Sequence, residues 1–234
     1  MPTLAEYARY SNQIRYRTAR VLYNSYLKSK EPDLKSTLAI RILEEAVSST
    51  EDYLMWLTAL FNRESIKDDV VHFLLQCGTT KTSRDLMEKA LLTCTEFETI
   101  NDLMFRLKMP PLEIITRITK HETIKVEKRL TRILRASRFV KAIRIDRKSL
   151  FLSLRNRIKH GVLIYSDGSF KNVVSIKNGS VQVEDLKIST LTTKENLEIV
   201  IKQIFQISFA IQSIILILLE LQIYEVRLSE KKIN

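Results

Sequence analysis

The chain has 234 residues, of which 45% are hydrophobic and 28% are charged, so it can bury the core of one large domain or two small ones. Its four glycines exclude nucleotide sites that are built on glycine-rich loops. Two cysteines and three histidines provide neither a disulfide framework nor a zinc-ligand pattern, and we expect no metal ion or other cofactor.

Two long helices are predicted at the start of the chain. Apolar residues at three-to-four spacing favour a helix that ends before Glu31-Pro32-Asp33, where the proline interrupts the pattern. A second helix is predicted from about Leu34 to Phe61, with a wide apolar stripe typical of a bundle core. The residues of this stripe are Leu38, Ile42, Leu43, Ala46, Val47, Tyr53, Leu54 and Leu57.

Shorter helices are predicted between about Asp68 and Lys108, separated by breaks at 78–83 and 93–96. Met109-Pro110-Pro111 ends this series, and the second proline can begin a new helix. We expect that helix to run from Leu112 to about Ser137. The pattern over 99–120 also resembles a helix-turn-helix, with buried positions at Leu103, Leu107, Met109, Ile115 and Ile118. A DNA-binding protein is therefore one alternative.

The segment from Lys120 to His160 contains fourteen basic and three acidic side chains, so it carries the whole net charge of +11. This concentration indicates a polyanionic partner, most simply a nucleic acid, although a solvated basic surface is the alternative. Basic residues recur every three positions from Arg129 to Arg147, and such a row spirals around a helix. The residues expected to contact RNA phosphates are Arg144, Arg147, Lys148, Arg157 and Lys159.

Residues 161–190 differ from the rest of the chain. Asp167-Gly168 and Asn178-Gly179 separate the β-branched runs at 162–165, 173–176 and 181–183, which predicts a three-stranded β-meander. Thr192 and Glu195 then fit a capping box that begins a long helix to about Leu228.

The first twenty residues are polar and charged, so we expect no secretory leader and a cytoplasmic protein. An uncharged run from Gln203 to Leu219 is seventeen residues long and includes glutamine and serine. This length is at the short limit for a membrane span. We therefore predict a buried central helix and no association with membranes.

His160 ends the sequence Arg155-Asn156-Arg157-Ile158-Lys159-His160-Gly161, at the end of the basic segment. Histidine can transfer protons near neutral pH, and arginine can stabilise charge on a phosphate. Arg155 and His160 are five residues apart, which is about 140° around a helix. Two copies of the chain could instead bring these side chains into one cleft. RNA carries its own 2′-hydroxyl nucleophile, so this chemistry requires no metal ion.

This pattern resembles the R-x(4–6)-H motif of the HEPN superfamily, in which a polar residue often follows the arginine. The resemblance implies that Arg155 and His160 are the catalytic pair and that Asn156 assists them. It further implies an up-and-down helical bundle, a homodimer, and metal-independent cleavage of single-stranded RNA. Members occur in toxin–antitoxin pairs and antiviral defence, which implies a possible antitoxin partner. Val162 stands where one toxin subgroup has a modified tyrosine, so that mode of control is not expected.

The expected fold class is mainly α, an up-and-down bundle with a small β-meander before a long C-terminal helix. We predict one HEPN-like domain over 1–234, with a helical insertion at about 66–110 and a meander insertion at about 161–190. In a purely structural alternative, residues 148–160 form a short helix with an exposed basic face and no catalytic role. The chain would then be a helical scaffold or a partner-binding protein.

Overall fold

A computed structural model of the chain describes residues 13–66, 73–74, 81–97, 99–119, 123–145, 174–177, 180–183, 186–187 and 192–233. The described residues are mainly α-helical, as the sequence predicts. Their helices are α1 (Ile14–Lys28), α2 (Pro32–Phe61), α3 (Arg63–Ile66), α4 (Lys81–Glu96), α5 (Ile100–Arg106), α6 (Leu112–Thr119), α7 (Thr123–Ile145) and α8 (Lys194–Ile233). The strands are β1 (Val174–Lys177), β2 (Ser180–Val183) and β3 (Leu186–Lys187).

The described residues belong to two compact units. Unit 1 comprises the described parts of Glu51–Lys141 and Gln206–Asn234, and unit 2 those of Gln13–Thr50 and Ala142–Phe205. Helices α2 and α8 each contribute residues to both units. The extent of a single domain over 1–234 stays a prediction.

The break between α1 and α2 is confirmed. Pro32 is the first residue of α2, a position where its fixed φ and missing N–H cost nothing. Asp33 follows in the first turn, where a carboxylate favours the helix dipole. Seven of the eight predicted stripe residues of α2 are buried and Leu38 is partly buried, so the periodicity identified the buried face.

Unit 2 has an aliphatic core that is rich in alanine. Its buried members are Ala19, Ala39, Ile40, Ile42, Leu43, Ala46, Leu197, Val200, Ile201 and Ile204. Tyr16, Tyr23 and Tyr26 are partly buried against this cluster. The Tyr26 hydroxyl donates to the Thr192 carbonyl at 3.1 Å, which joins the end of α1 to the start of α8.

Unit 1 has a larger described core, to which α2, α4, α5, α6, α7 and α8 contribute. Tyr53 is fully buried, and its hydroxyl donates to the Ile133 carbonyl at 2.8 Å. Ser137 Oγ lies 2.6 Å from the Tyr53 hydroxyl and 3.0 Å from Cys94 Sγ. These buried polar groups therefore satisfy one another inside an apolar core.

The apolar part of α8 lies in this core. Lys194–Val226 is long and apolar enough to cross a membrane by length and composition, but 67% of its most apolar window is buried inside the protein. Ile207, Ile214 and Ile217 are fully or almost fully buried. The prediction of a buried central helix agrees with this packing.

Three predictions about helix boundaries were wrong. The break at 93–96 is absent, since α4 continues to Glu96 and buries Leu91 and Cys94. The single helix from Leu112 to Ser137 is divided into α6 and α7. Residues 120–122, between these two helices, lie outside the described residues. The cap of α8 is shifted by one residue, because Thr193 Oγ1 accepts from the Asn196 N–H at 3.3 Å.

Helix α5 has well-formed ends. Thr99 and Asp102 form a capping box at its start. At its end, the Lys108 N–H donates to the Phe105 carbonyl and the Met109 N–H to the Met104 carbonyl, which is a Schellman motif. Lys108 has a φ of 49°, so a lysine occupies the left-handed position where glycine is usual.

The three strands are antiparallel, in the order β1-β2-β3. Val174 lies opposite Val183, and Val183 lies opposite Leu186. Of the predicted runs, 162–165 lies outside the described residues, while β3 was not predicted. A meander with the predicted extent of 161–190 stays a prediction.

Candidate nucleic-acid interface

Most of the predicted site lies outside the described residues. The residues concerned are Arg147, Lys148, Arg155, Asn156, Arg157, Lys159 and His160. Arg144 lies in the last turn of α7. The structure therefore describes the first part of the basic segment, which is helix α7, and the geometry of the motif stays a prediction.

Helix α7 combines an apolar face with a high positive charge. It contains eight basic residues and one acidic residue, Glu127. Val126, Leu130, Ile133 and Val140 are all fully buried, and their three-to-four spacing places them on one face. Packing of this face in the core of unit 1 determines which way the remaining side chains point.

The exposed basic residues of α7 form a second face, which we call the α7 basic face. They are Lys125, Lys128, Arg132, Arg135 and Arg138. At 100° per residue these positions fall within an arc of about 140°, opposite the buried residues. The row spans fourteen residues, or about 20 Å of helix. At about 3.4 Å per nucleotide along a strand, this length matches roughly six phosphates.

Arg129 has a different environment from these five residues. Its guanidinium forms an ion pair with the Glu220 carboxylate of α8. The two side chains are only 14% and 5% exposed, so the pair lies within the packing of unit 1. Arg129 therefore joins α7 to α8 and is not available to a nucleic acid.

Two arginines of the α7 basic face also contact the protein. The Arg132 guanidinium lies over the Phe209 ring, 5.4 Å from its centroid, a distance suited to a cation–π interaction. An Arg138 N–H donates to the Phe97 carbonyl at 3.4 Å. Such contacts restrict these long side chains and lower the entropy lost when they bind a phosphate.

The predicted spiral of basic residues is confirmed for its described part. Arg132, Arg135 and Arg138 are exposed, whereas Arg129 and Lys141 are partly buried. Lys125 and Lys128 complete the α7 basic face; the sequence places them in the basic segment, but the row with three-residue spacing begins only at Arg129. The signal was present, because the apolar residues of α7 already define the opposite side of the helix.

The helix-turn-helix alternative has the expected buried residues but little charge. Leu103, Leu107, Met109 and Ile115 are buried, as predicted, and the side chain of Ile118 lies outside the described set. The exposed charged residues of α6 are Glu113 and Arg117, which cancel. Electrostatic attraction to a phosphate backbone is therefore stronger at α7 than at α6.

Within the described ranges, no group of three or more histidine, cysteine, aspartate or glutamate side chains could hold a metal ion. All three histidines of the chain lie outside those ranges.

No protein-family model matches the chain, and comparisons with curated proteins and with solved structures found no match either.

Proposed function

We propose that the protein is a metal-independent endoribonuclease of the HEPN type that cleaves single-stranded RNA. The observation that carries this proposal is the sequence Arg155-Asn156-x3-His160-Gly161, which begins ten residues after the strongly basic helix α7 ends. The motif supplies groups for the chemistry, and the α7 basic face supplies a surface for the substrate. The mainly helical fold is compatible with a HEPN-like domain that carries a meander insertion at about 161–190.

The proposed chemistry uses the ribose 2′-hydroxyl of the substrate as the nucleophile. His160 assists its attack on the adjacent phosphorus by proton transfer, while Arg155 stabilises the charge on the phosphate oxygens. Asn156 orients the reacting groups. The 2′-oxygen–phosphorus bond forms as the bond to the 5′-oxygen breaks, so the products carry 2′,3′-cyclic phosphate and 5′-hydroxyl ends.

Substrate binding in this proposal combines two regions of the basic segment. Arg144, Arg147, Lys148, Arg157 and Lys159 contact phosphates near the motif. The α7 basic face binds a further stretch of the backbone, since its charge is exposed along about 20 Å. Both contributions are independent of sequence, because phosphate contacts carry no base information.

Assembly and cellular setting are further parts of the proposal. Residues five positions apart, as Arg155 and His160 are, would be about 140° apart on an ideal helix, so the proposed composite site needs two chains related by a two-fold axis. We expect a cytoplasmic homodimer in toxin–antitoxin or antiviral defence, with an antitoxin as a possible regulatory partner. Light scattering that shows a fully active monomer would contradict the dimer.

The experiment that tests the function is incubation of the purified protein with single-stranded RNA in EDTA. His160→Ala should reduce cleavage by about 10²–10⁴-fold, the usual contribution of a general acid–base group. His121→Ala is the matched control, because it removes a histidine outside the motif. Single-stranded DNA of the same sequence should stay intact, since it lacks the 2′-hydroxyl. Equal cleavage by wild-type and His160→Ala proteins of matched melting temperature would reject the catalytic assignment.

A non-catalytic nucleic-acid-binding protein is the second candidate, and the buried residues of α5 and α6 favour it. A helix-turn-helix protein would bind a preferred DNA duplex and leave RNA uncut. Arg117→Gln on α6 should then weaken DNA binding, whereas the ribonuclease proposal predicts no effect of this substitution on RNA cleavage.

A further inference from the structure

A cavity of about 270 Å³ lies within unit 1, away from the α7 basic face. Helix α4 contributes Leu86, Lys89, Ala90 and Thr93, whose spacing of three, one and three residues places them along one side of the helix. The remaining walls are the residues around the start of α3 and the end of α5. The cavity therefore has a lining that is partly apolar and partly polar.

Positive charge predominates in this lining. Arg63, Lys89, Arg106 and Lys108 line the cavity together with one carboxylate, that of Glu64. Lys108 Nζ lies 2.7 Å from Glu64 Oε2, so this pair is internally neutralised. Among the described residues, no carboxylate forms an ion pair with the other three cations. The carboxylates of Glu64 and Glu225 act electrostatically on Arg63, so the uncompensated positive charge at the cavity is that of Lys89 and Arg106.

Arg63 is held in place by the end of α5. Its two terminal nitrogens donate to the carbonyls of Leu107 and Lys108, the latter at 3.2 Å. Its Nε is buried and has no hydrogen-bond partner among the described residues. The two carbonyl contacts of its terminal nitrogens fix the guanidinium at the wall of the cavity.

The left-handed backbone at Lys108 also lies at this cavity. A residue with a side chain is strained at this position, and such strain is concentrated at functional sites. Here the backbone conformation presents the Lys108 carbonyl to Arg63, while the side chain reaches Glu64. Lys108 therefore contacts both Arg63 and Glu64 at the edge of the cavity and restricts their side chains.

We propose that this cavity binds the phosphate group of a small phosphorylated molecule. A dianionic phosphate offers several acceptor oxygens to Arg63, Lys89 and Arg106, and charge-assisted hydrogen bonds of this kind are strong. The volume is just below the range of about 300–1,000 Å³ for pockets that hold drug-sized ligands. Inorganic phosphate or a small phosphomonoester fits this size. The inference does not depend on ribonuclease activity.

Isothermal titration of the full chain with inorganic phosphate tests the proposal, with ionic strength held constant by sodium chloride. We expect saturable binding at one site per chain. Lys89→Gln and Arg106→Gln should each weaken it by about ten- to hundredfold, since each removes a charged donor. Both side chains are exposed, so the variants should fold. Arg135→Gln, which removes an equal charge from the α7 basic face, should leave phosphate binding unchanged.

The absence of saturable binding, or equal weakening by Arg135→Gln and Lys89→Gln, would overturn the proposal. Phosphate could also be presented by an RNA backbone, and a second titration separates the two sources. If the cavity binds a free phosphorylated molecule, Lys89→Gln should leave the affinity for RNA unchanged. A loss of RNA affinity in this variant, together with no binding of inorganic phosphate to the wild-type protein, would contradict the proposal. His160→Ala should retain phosphate binding, so failure of the ribonuclease proposal is recognised separately.

Discussion

The two faces of helix α7 use the same residue type in opposite ways. On the buried side, Arg129 pairs with Glu220 within the packing of unit 1. On the other side, Arg135 is exposed and belongs to a row of five cations. The two arginines are six residues apart in one helix. Their roles differ because the apolar residues of α7 decide which side of the helix is covered.

The number of basic residues on a helix therefore overestimates the charge that the helix exposes for binding. Eight basic residues lie on α7, but Arg129 contributes to folding and Lys141 is partly buried. The exposed residues can exchange counterions and bind phosphates, whereas a buried charge must be compensated within the protein. Substitutions on the two faces should therefore affect different measurements.

The largest effect is expected on the buried side. Arg129→Met should lower the free energy of unfolding by about 3–5 kcal/mol, because it leaves the buried Glu220 carboxylate without its arginine. Urea unfolding followed by circular dichroism measures this loss. The double variant Arg129→Met/Glu220→Leu should recover much of it. Arg135→Met is the matched control and should change stability by no more than about 0.5 kcal/mol. Equal effects of the two single variants would contradict the comparison.

The exposed face should instead control RNA binding. Replacing Lys128, Arg132 and Arg135 by glutamine should reduce the slope of log affinity against log salt by about 2, because three phosphate contacts to a single strand are lost. The affinity at physiological salt should fall by roughly ten- to hundredfold, with little change in stability. Fluorescence anisotropy with a labelled single-stranded RNA measures both quantities. An unchanged salt slope would exclude the α7 basic face as the RNA surface.

A pH-dependent effect is expected from the buried side, where Ser137 contacts Cys94. Burial raises the pKa of the Cys94 thiol from 9.0 to about 11. Between these values the folded protein keeps a proton that the unfolded chain has released, so stability falls as the pH rises. The loss should reach about 1 kcal/mol one pH unit above the unfolded pKa.

Urea unfolding at several pH values between 9.0 and 11 tests this expectation. Cys94→Ala should show a shallower decline than the wild-type protein, whereas Cys77→Ala, which removes the other cysteine of the chain, serves as the control. Burial also raises the pKa of Tyr53, so part of the decline should persist in Cys94→Ala. Parallel curves for Cys94→Ala and wild type would show that the thiol makes no contribution.

The smallest effect extends the comparison to Lys108, which is exposed and yet has a structural role. Lys108→Gly should raise the free energy of unfolding by up to about 1 kcal/mol, because glycine relieves the left-handed strain. Lys108→Ala keeps the strain and loses the contact with Glu64, so it should not stabilise the protein. Urea midpoints of the two variants separate backbone and side-chain contributions. Stabilisation by alanine equal to that by glycine would contradict the assignment of strain.

Much of the helical architecture could be predicted from local patterns. The start of α2 follows from Pro32, and its buried face follows from the spacing of apolar residues. The division between α6 and α7 was missed, because the apolar pattern continues through both helices. The continuation of α4 through Thr93 was missed as well. The position at which α4 ends depends on the burial of Leu91 and Cys94. The core that buries them is built from distant parts of the chain.

For the candidate site, the order of residues is enough to show that the positive charge is concentrated between Lys120 and His160 and that this segment ends in an Arg-Asn-x3-His motif. Folding is needed to pair Arg129 with Glu220, ninety-one residues away, and to bring the cations of α3, α4 and α5 around one cavity. Such groupings arise from contacts between distant segments. Whether a charged residue stabilises the fold or is exposed for binding depends on which side of its helix those contacts bury.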